Sequence, residues 1–334
     1  MNICMFGAGR MAQSHAANIH RSNEAKLYCV VDPNEQSAKS LANKFDCKYF
    51  INPQDAFQDT QVDAFAIIST SDTHSDLIIE CSKTKKPIFC EKPIDLNIDK
   101  IKTCVHALET SKTPFFLGFN RRFDPNFSLL HKRLRNEEVG NIEMISITSR
   151  DNPMPSLEYL RSSGGLFLDM TIHDFDMARW LLGEEITEVF ATGSTLINKE
   201  ISDFQDIDTA MLTLKTKTGK IVQINNSRRA CYGYDQRVEV FGSKGMIIAN
   251  NCHNNTLQIY NEKGAQLDRI KESFPERYQE AYRIEMKHFL KEVVRKQTPL
   301  ITALDGLKAT QIAYTANRSL KSGKSEEVSY WDSN

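Results

Sequence analysis

Asp169 and His173 stand four residues apart in Leu168-Asp169-Met170-Thr171-Ile172-His173. On a helical turn both would project from one face. Histidine changes charge near neutral pH, so it suits the base that must take the alcohol proton in a hydride-transfer oxidation. Asp169 would then orient the imidazole or bind substrate. A second reading stays open: Asp169 starts or caps a helix, and His173 is a hydrogen-bonded polar residue with no catalytic task. Lys92, in Cys90-Glu91-Lys92-Pro93, follows a predicted strand. The carboxyl ends of strands face the ligand crevice of an open α/β sheet, where a lysine can meet a hydroxyl. Taken alone, a lysine in such a place is more often a surface residue. His173, Asp174 and Asp176 do not make a complete ligand set, so no metal is expected.

A second constellation binds rather than reacts. Gly7-Ala8-Gly9-Arg10-Met11-Ala12 follows the first predicted strand and opens the first predicted helix. Gly7 permits the tight turn, Gly9 lets the backbone approach a pyrophosphate, and small Ala12 lets helix and strand pack closely. The helix N-terminus offers free N–H groups and a positive dipole end. Asp32 ends the second strand, where an acid accepts from ribose hydroxyls and repels a 2′-phosphate. NAD is therefore the expected cofactor, ahead of NADP. A plain doubly wound domain, with glycines that only make turns, is the competing reading. His74 lies just past the third main strand and either approaches the cofactor or starts a helix. His253 reads as a loop residue, and Asp203, Asp206 and Asp208 as a solvated acidic loop.

These residues need elements to hold them. Up to about residue 120, apolar runs at Asn2–Phe6, Leu27–Val31, Ala64–Ile68, Ile88–Cys90 and Pro114–Phe119 alternate with amphipathic segments. Those segments are Met11–Ile19, Glu35–Phe45, Ser75–Ser82 and Asp99–Glu109, and the alternation predicts a parallel sheet covered on both faces. The pattern then changes. A helix is expected over 124–136, a strand over Ile142–Ser149, and a helix from about Thr171 that stops at Gly183. From 186 to about 261 the chain is strand-rich, with turns at Thr218-Gly219 and Ser243-Lys244-Gly245. Helices near 277–296 and 303–321 follow. The fold class is α/β: an N-terminal Rossmann dinucleotide-binding domain over 1–120, then an α+β domain over 121–334 with a large, mostly antiparallel open sheet.

The 334 residues suit two domains. The net charge of −1 supplies no global field for nucleic acid or an anionic membrane, so neither is an expected partner. No stretch approaches the roughly 20 apolar residues of a membrane span. Met1 runs almost at once into Ile3-Cys4-Met5-Phe6, without a basic leader, and the chain reads as cytoplasmic. The eight cysteines form no C-x-x-C pair and read as small buried thiols.

The ordered pieces Gly7–Ala12, Val31-Asp32, Glu91-Lys92-Pro93, Gly118-Phe119-Asn120-Arg121-Arg122-Phe123-Asp124, Asp169-x-x-x-His173-Asp174 and Tyr232-Gly233-Tyr234-Asp235 resemble the Gfo/Idh/MocA family of oxidoreductases over nearly the whole chain. The resemblance implies NAD-dependent oxidation of a ring hydroxyl of myo-inositol to the 2-keto product. A scyllo-inositol, other cyclitol or pyranose substrate is the alternative, and a non-catalytic cofactor-binding regulator is the reading from another class. It implies that Lys92 and Asp169 hold and polarise the substrate hydroxyls, and that His173 takes the proton. It implies a cofactor site of Gly7, Gly9, Arg10, Met11, Asp32, Thr70, His74, Glu91 and Lys92, and a polyol pocket lined by Arg121, Asn152 and Tyr234. It also implies a homodimer or homotetramer formed through the open sheet. The segment Asn152–Asp169 departs by being slightly longer, next to the substrate.

Overall fold

The computed structural model describes residues 1–295, 297 and 299–331. The expected helix near 277–296 and the expected second domain both end on residues outside the described ones. The chain divides into two compact units, Met1–Phe123 with Ala281–Lys308, and Asp124–Glu280 with Ala309–Trp331.

The first unit runs β1 (Asn2–Phe6), α1 (Arg10–His20), β2 (Lys26–Val31), α2 (Glu35–Phe45), β3 (Lys48–Phe50), α3 (Pro53–Gln58), β4 (Ala64–Ile67), α4 (Ser71–Lys83), β5 (Ile88–Glu91), α5 (Ile98–Ser111) and β6 (Phe115–Gly118). A 3-10 turn, Asn120–Phe123, follows. The six strands form one parallel sheet in the order β3-β2-β1-β4-β5-β6. Strand order reverses between β1 and β4, and the crevice beyond the carboxyl ends at such a switch point is where open α/β sheets take ligands. β4, β5 and β6 are buried along their whole length, as strands covered on both faces must be.

The second unit adds α6 (Pro125–Arg135), β7 (Ile142–Arg150), α7 (Leu157–Ser162), a π-helical turn (Phe167–Thr171), α8 (Ile172–Leu182), β8 (Ile186–Ser194), a 3-10 turn (Lys199–Phe204), β9 (Thr209–Thr216), β10 (Ile221–Ser227), β11 (Asp235–Gly242) and β12 (Gly245–Ala249). The chain continues through β13 (Gln258–Asn261), β14 (Gly264–Leu267), α9 (Phe274–Arg277), α10 (Gln279–Arg295), α11 (Ala303–Ser322) and β15 (Glu326–Glu327). Seven strands form a sheet in the order β12-β11-β7-β10-β9-β8-β15, antiparallel except for the β7–β10 pair. Alternation builds its two faces: in β9, Ala210, Leu212 and Leu214 are buried while Met211, Thr213 and Lys215 are exposed. α8 packs against β7 and ends at Gly183, whose φ of +66° suits glycine.

The expected boundary at 120/121 falls close to the break at Phe123/Asp124, but the later helices do not all stay in the second unit. Met286, Phe289 and Leu290 of α10 share one apolar core with Ile3, Met5, Ala66 and Phe89. The Phe289 ring packs 5.7 Å from Phe89 and 5.0 Å from Phe116. That burial returns α10 to the Rossmann unit. No helix among the described residues is long and apolar enough to cross a membrane.

Candidate active site

In the first unit the glycine loop leaves β1 at Gly7, where φ is +101°. A Cβ there would lie 2.5 Å from the Ile68 carbonyl oxygen, so the turn needs glycine. Gly9 caps α1 in an extended conformation, and a Cβ on it would meet nothing within 4 Å. That open space lets a phosphate approach the backbone. α1 has no acidic residue in its first turn, so its N-terminal N–H groups and dipole act on an anion unopposed from there. Ala12 is fully buried. Asp32 accepts from Ala8 N at 2.8 Å through Oδ2 and from Asn34 N at 2.9 Å through Oδ1. Each oxygen has a second lone-pair direction with which to meet a ribose hydroxyl. Arg10 and Thr70 are exposed where α1 and α4 begin, and Met11 packs partly on the core. The turn, the space at Gly9 and the acid after β2 together fit a dinucleotide.

Two expected cofactor residues are engaged inward. Glu91 ends β5; its Oε1 lies 2.7 Å from Nε2 of fully buried His15, and its Oε2 accepts from Lys92 N at 3.2 Å. His74 is 1% exposed, with Nδ1 2.7 Å from the Pro93 carbonyl and Nε2 3.1 Å from that of Ser69. It thus ties the loop after β4 to the loop after β5, on which Lys92 sits. Burial pulls the His74 pKa down, against the pull of those two carbonyls. Arg121 is buried in the Asn120–Phe123 turn.

In the second unit Asp169 lies in the π-helical turn and His173 in the first turn of α8. π-turns inside helices concentrate at functional sites. α8 begins after Thr171, whose side chain makes no capping bond. Asp169 Oδ1 accepts from the Tyr159 hydroxyl at 2.7 Å, and its Oδ2 from Arg228 Nη1 at 2.8 Å. Arg228 Nη1 also reaches Asp151 Oδ2 at 3.3 Å. Tyr159 exposes 46% of its surface, yet its hydroxyl end points inward. Burial of that end, and then the Asp169 charge, push its pKa up.

A buried polar set pins this turn to the sheet. Asp174 is fully buried; Ser149 Oγ donates to its Oδ1 at 2.6 Å and Asn226 Nδ2 to its Oδ2 at 2.8 Å. Thr171 Oγ1 donates to Asn226 Oδ1 at 2.7 Å. The start of α8 is thereby fastened to β7 and β10, which gives Asp174 a structural task. Asn152 donates from Nδ2 to the Glu272 carbonyl at 3.0 Å. Tyr234 is buried, its ring edge-on to Tyr278 at 6.0 Å.

The expectation of a solvated acidic loop holds for Asp203 alone. Asp208 is fully buried and accepts from the amides of Leu196, Ile197 and Asn198, because that turn leaves three N–H groups without strand partners. Asp206 accepts from Leu166 N at 2.9 Å, and burial raises its pKa. His253 pairs with Ile270 in an isolated bridge. Five of the eight cysteines are buried as expected, Cys47 and Cys252 are half-buried, and Cys231 is exposed. Burial lifts the Cys104 thiol to about 12. Arg228, Tyr159 and Asp151 escaped the sequence reading. Arg228 is 59 residues from Asp169 along the chain, and no periodicity links them.

Comparison with known proteins places these features. The family model described as an oxidoreductase family with NAD-binding Rossmann fold matches residues 1–119, and that of the GFO/IDH/MocA C-terminal domain matches 127–248. A myo-inositol 2-dehydrogenase of Thermotoga maritima is 43% identical, over 98% of this chain and 99% of its own. The crystal structure of a myo-inositol dehydrogenase from Corynebacterium glutamicum superposes with a TM-score of 0.95 at 38% identity, over 99% of each chain. That of a scyllo-inositol dehydrogenase from Lactobacillus casei, with bound NAD(H) and scyllo-inositol, gives 0.92 at 28% identity, over 98% and 99%.

Proposed function

The chain belongs to the Gfo/Idh/MocA oxidoreductase family, and on that premise we propose that it oxidises a ring hydroxyl of myo-inositol to the 2-keto product, with NAD as the oxidant. The observation that carries this reading is the Asp169–His173 turn: its carboxylate is fixed by two hydrogen bonds and its helix start is pinned to the sheet. A dehydrogenase needs such rigidity, because misplacement of about 1 Å can cost 100-fold in rate.

Gly7, Gly9 and the start of α1 hold the pyrophosphate, with Arg10, Met11 and Thr70 beside them. Asp32 holds the adenosine ribose and disfavours a 2′-phosphate. His74 and Glu91 shape the same site from within. The bound nicotinamide supplies a C4 carbon that accepts the hydride. Lys92 and Asp169 hold and polarise the reacting hydroxyl, and the Lys92 charge stabilises developing negative charge on its oxygen. His173 takes the hydroxyl proton as the C–H bond breaks and the C=O bond forms, so one proton and one hydride leave the ring. Arg121, Asn152 and Tyr234 line the polyol pocket. The enzyme works in the cytoplasm as a homodimer or homotetramer.

Initial rates of NADH formation with myo-inositol, scyllo-inositol and glucose test the proposal. Myo-inositol with NAD should give the highest kcat/KM, NADP should be much poorer, and Asp32→Ser should narrow that gap. No turnover of any inositol would contradict the reading.

A further inference from the structure

Arg228 heads the largest fully buried side chains among the described residues, at 1% exposure. Its guanidinium sits among three carboxylates, Asp151, Asp169 and Asp206, and near the Tyr159 hydroxyl. Two hydrogen bonds leave from Nη1 alone, while Nε and Nη2 find no acceptor among the described residues. Stability is a poor reason for such a group. A buried ion pair often gives no more stability than well-packed apolar side chains, and buried donors without acceptors add a cost.

Its backbone is fixed as firmly as its head. Arg228 N donates to the Asp208 carbonyl at 2.8 Å. On either side, Asp151 N donates to the Ser227 carbonyl at 2.9 Å, and Ala230 N to the Asp151 carbonyl at 2.8 Å. The side chain therefore starts from the joined ends of β7 and β10, a rigid base from which to hold another group.

We propose that Arg228 is a positioning residue of the dehydrogenase: from the ends of β7 and β10 it fixes the Asp169 carboxylate, jointly with Tyr159, in the orientation that meets the substrate. This rests on the reading that Asp169 serves the reacting hydroxyl. The division of labour follows from charge. A carboxylate facing a guanidinium favours its ionised form, so Asp169 acts as a fixed acceptor and the substrate proton passes to His173. The surrounding carboxylates in turn hold the Arg228 pKa above its usual value, although burial opposes them. Lysine would keep the charge but lose the planar fork.

The test uses the full-length protein with Arg228→Met, Arg228→Lys, Tyr159→Phe, Asp169→Asn and the Arg228→Met/Asp169→Asn double variant. Read out are kcat and KM for myo-inositol, NAD affinity, the thermal midpoint, and the pH profile of kcat/KM. Arg228→Met should lower kcat/KM by roughly 100-fold, the scale of a misplaced reacting group, with NAD affinity unchanged. The acidic limb of its kcat/KM profile should move to higher pH, because a positive charge has left the site. Arg228→Lys should recover part of the rate. In the Asp169→Asn background, Arg228→Met should cost far less than it does alone, because both act through one carboxylate. Should Arg228→Met fail to fold, Arg228→Lys and Tyr159→Phe carry the test, each with a lowered kcat/KM. An impaired Asp169→Asn beside an unimpaired Arg228→Met overturns this inference alone, as do two effects that multiply independently. Asp169→Asn at wild-type rate overturns the catalytic reading, and the role of Arg228 with it.

Discussion

On the proposed reading, His173 is the residue on which the chemistry turns. A polyol hydroxyl is a poor acid, so its proton must leave as the hydride departs. General-base catalysis typically contributes roughly 100- to 10,000-fold. His173→Ala should lower kcat within about that range and leave NAD affinity and the thermal midpoint near wild type. A structural histidine would give the reverse pattern, so turnover and melting measured on the same variant decide it. His74 titrates in the opposite sense to a catalytic asset. Burial holds its folded pKa below the ordinary histidine value, so the unfolded chain binds the proton more readily. The stability from this site is present above the unfolded pKa of ~6.5 and is lost as pH falls through that value towards the folded one. Urea midpoints should fall on acidification in the wild-type protein and fall less in His74→Gln. Equal losses would remove the argument.

At the scale of elements, the turn into α8 depends on Asp174. Asp174→Ala would leave Ser149 and Asn226 without their shared acceptor in a buried place. It should cost about 2 kcal/mol in urea denaturation and loosen the Asp169–His173 turn, lowering kcat as well. An unchanged urea midpoint would contradict the pinning. Much of this level is legible in the sequence. β1, the glycine loop, α1 and Asp32 announce themselves through an apolar run, two glycines and an acid at fixed offsets. β4, β5 and β6 read as short apolar runs because both their faces are covered. Other parts leave no such signal. β3 is three residues long, exposed or half-buried throughout, and too short for a period to register. The π-turn differs from an α-turn by one hydrogen-bond step, which composition does not encode. Amphipathicity shows that α10 buries a face and does not say against what, so its place on the Rossmann core appears only in three dimensions. The contact of Arg228 with Asp169 likewise arises only in three dimensions, since the end of β10 and the π-turn before α8 meet only after the chain has folded.

For the whole molecule, the open sheet carries an assembly prediction. On its exposed face Met246 pairs with Phe241, Phe241 with Met144, and Met144 with Ile221, an apolar row across β12, β11, β7 and β10. Those four side chains are 40–55% exposed. A row of this kind on an open sheet face seeks cover, and a self-complementary partner is the simplest supply. Light scattering should report a homodimer or homotetramer, and Phe241→Glu with Met144→Lys should shift it towards monomer. Monomer alone in the wild type would contradict this. The proposed hydride transfer from a ring carbon of myo-inositol to NAD is tested most directly with myo-inositol deuterated at C2. The reduced nicotinamide should carry the deuterium, the 2-keto product should have lost it, and kcat/KM should fall relative to unlabelled myo-inositol wherever hydride transfer limits the rate. Turnover that leaves the deuterium on the product, or reduced nicotinamide without it, would contradict hydride transfer from C2.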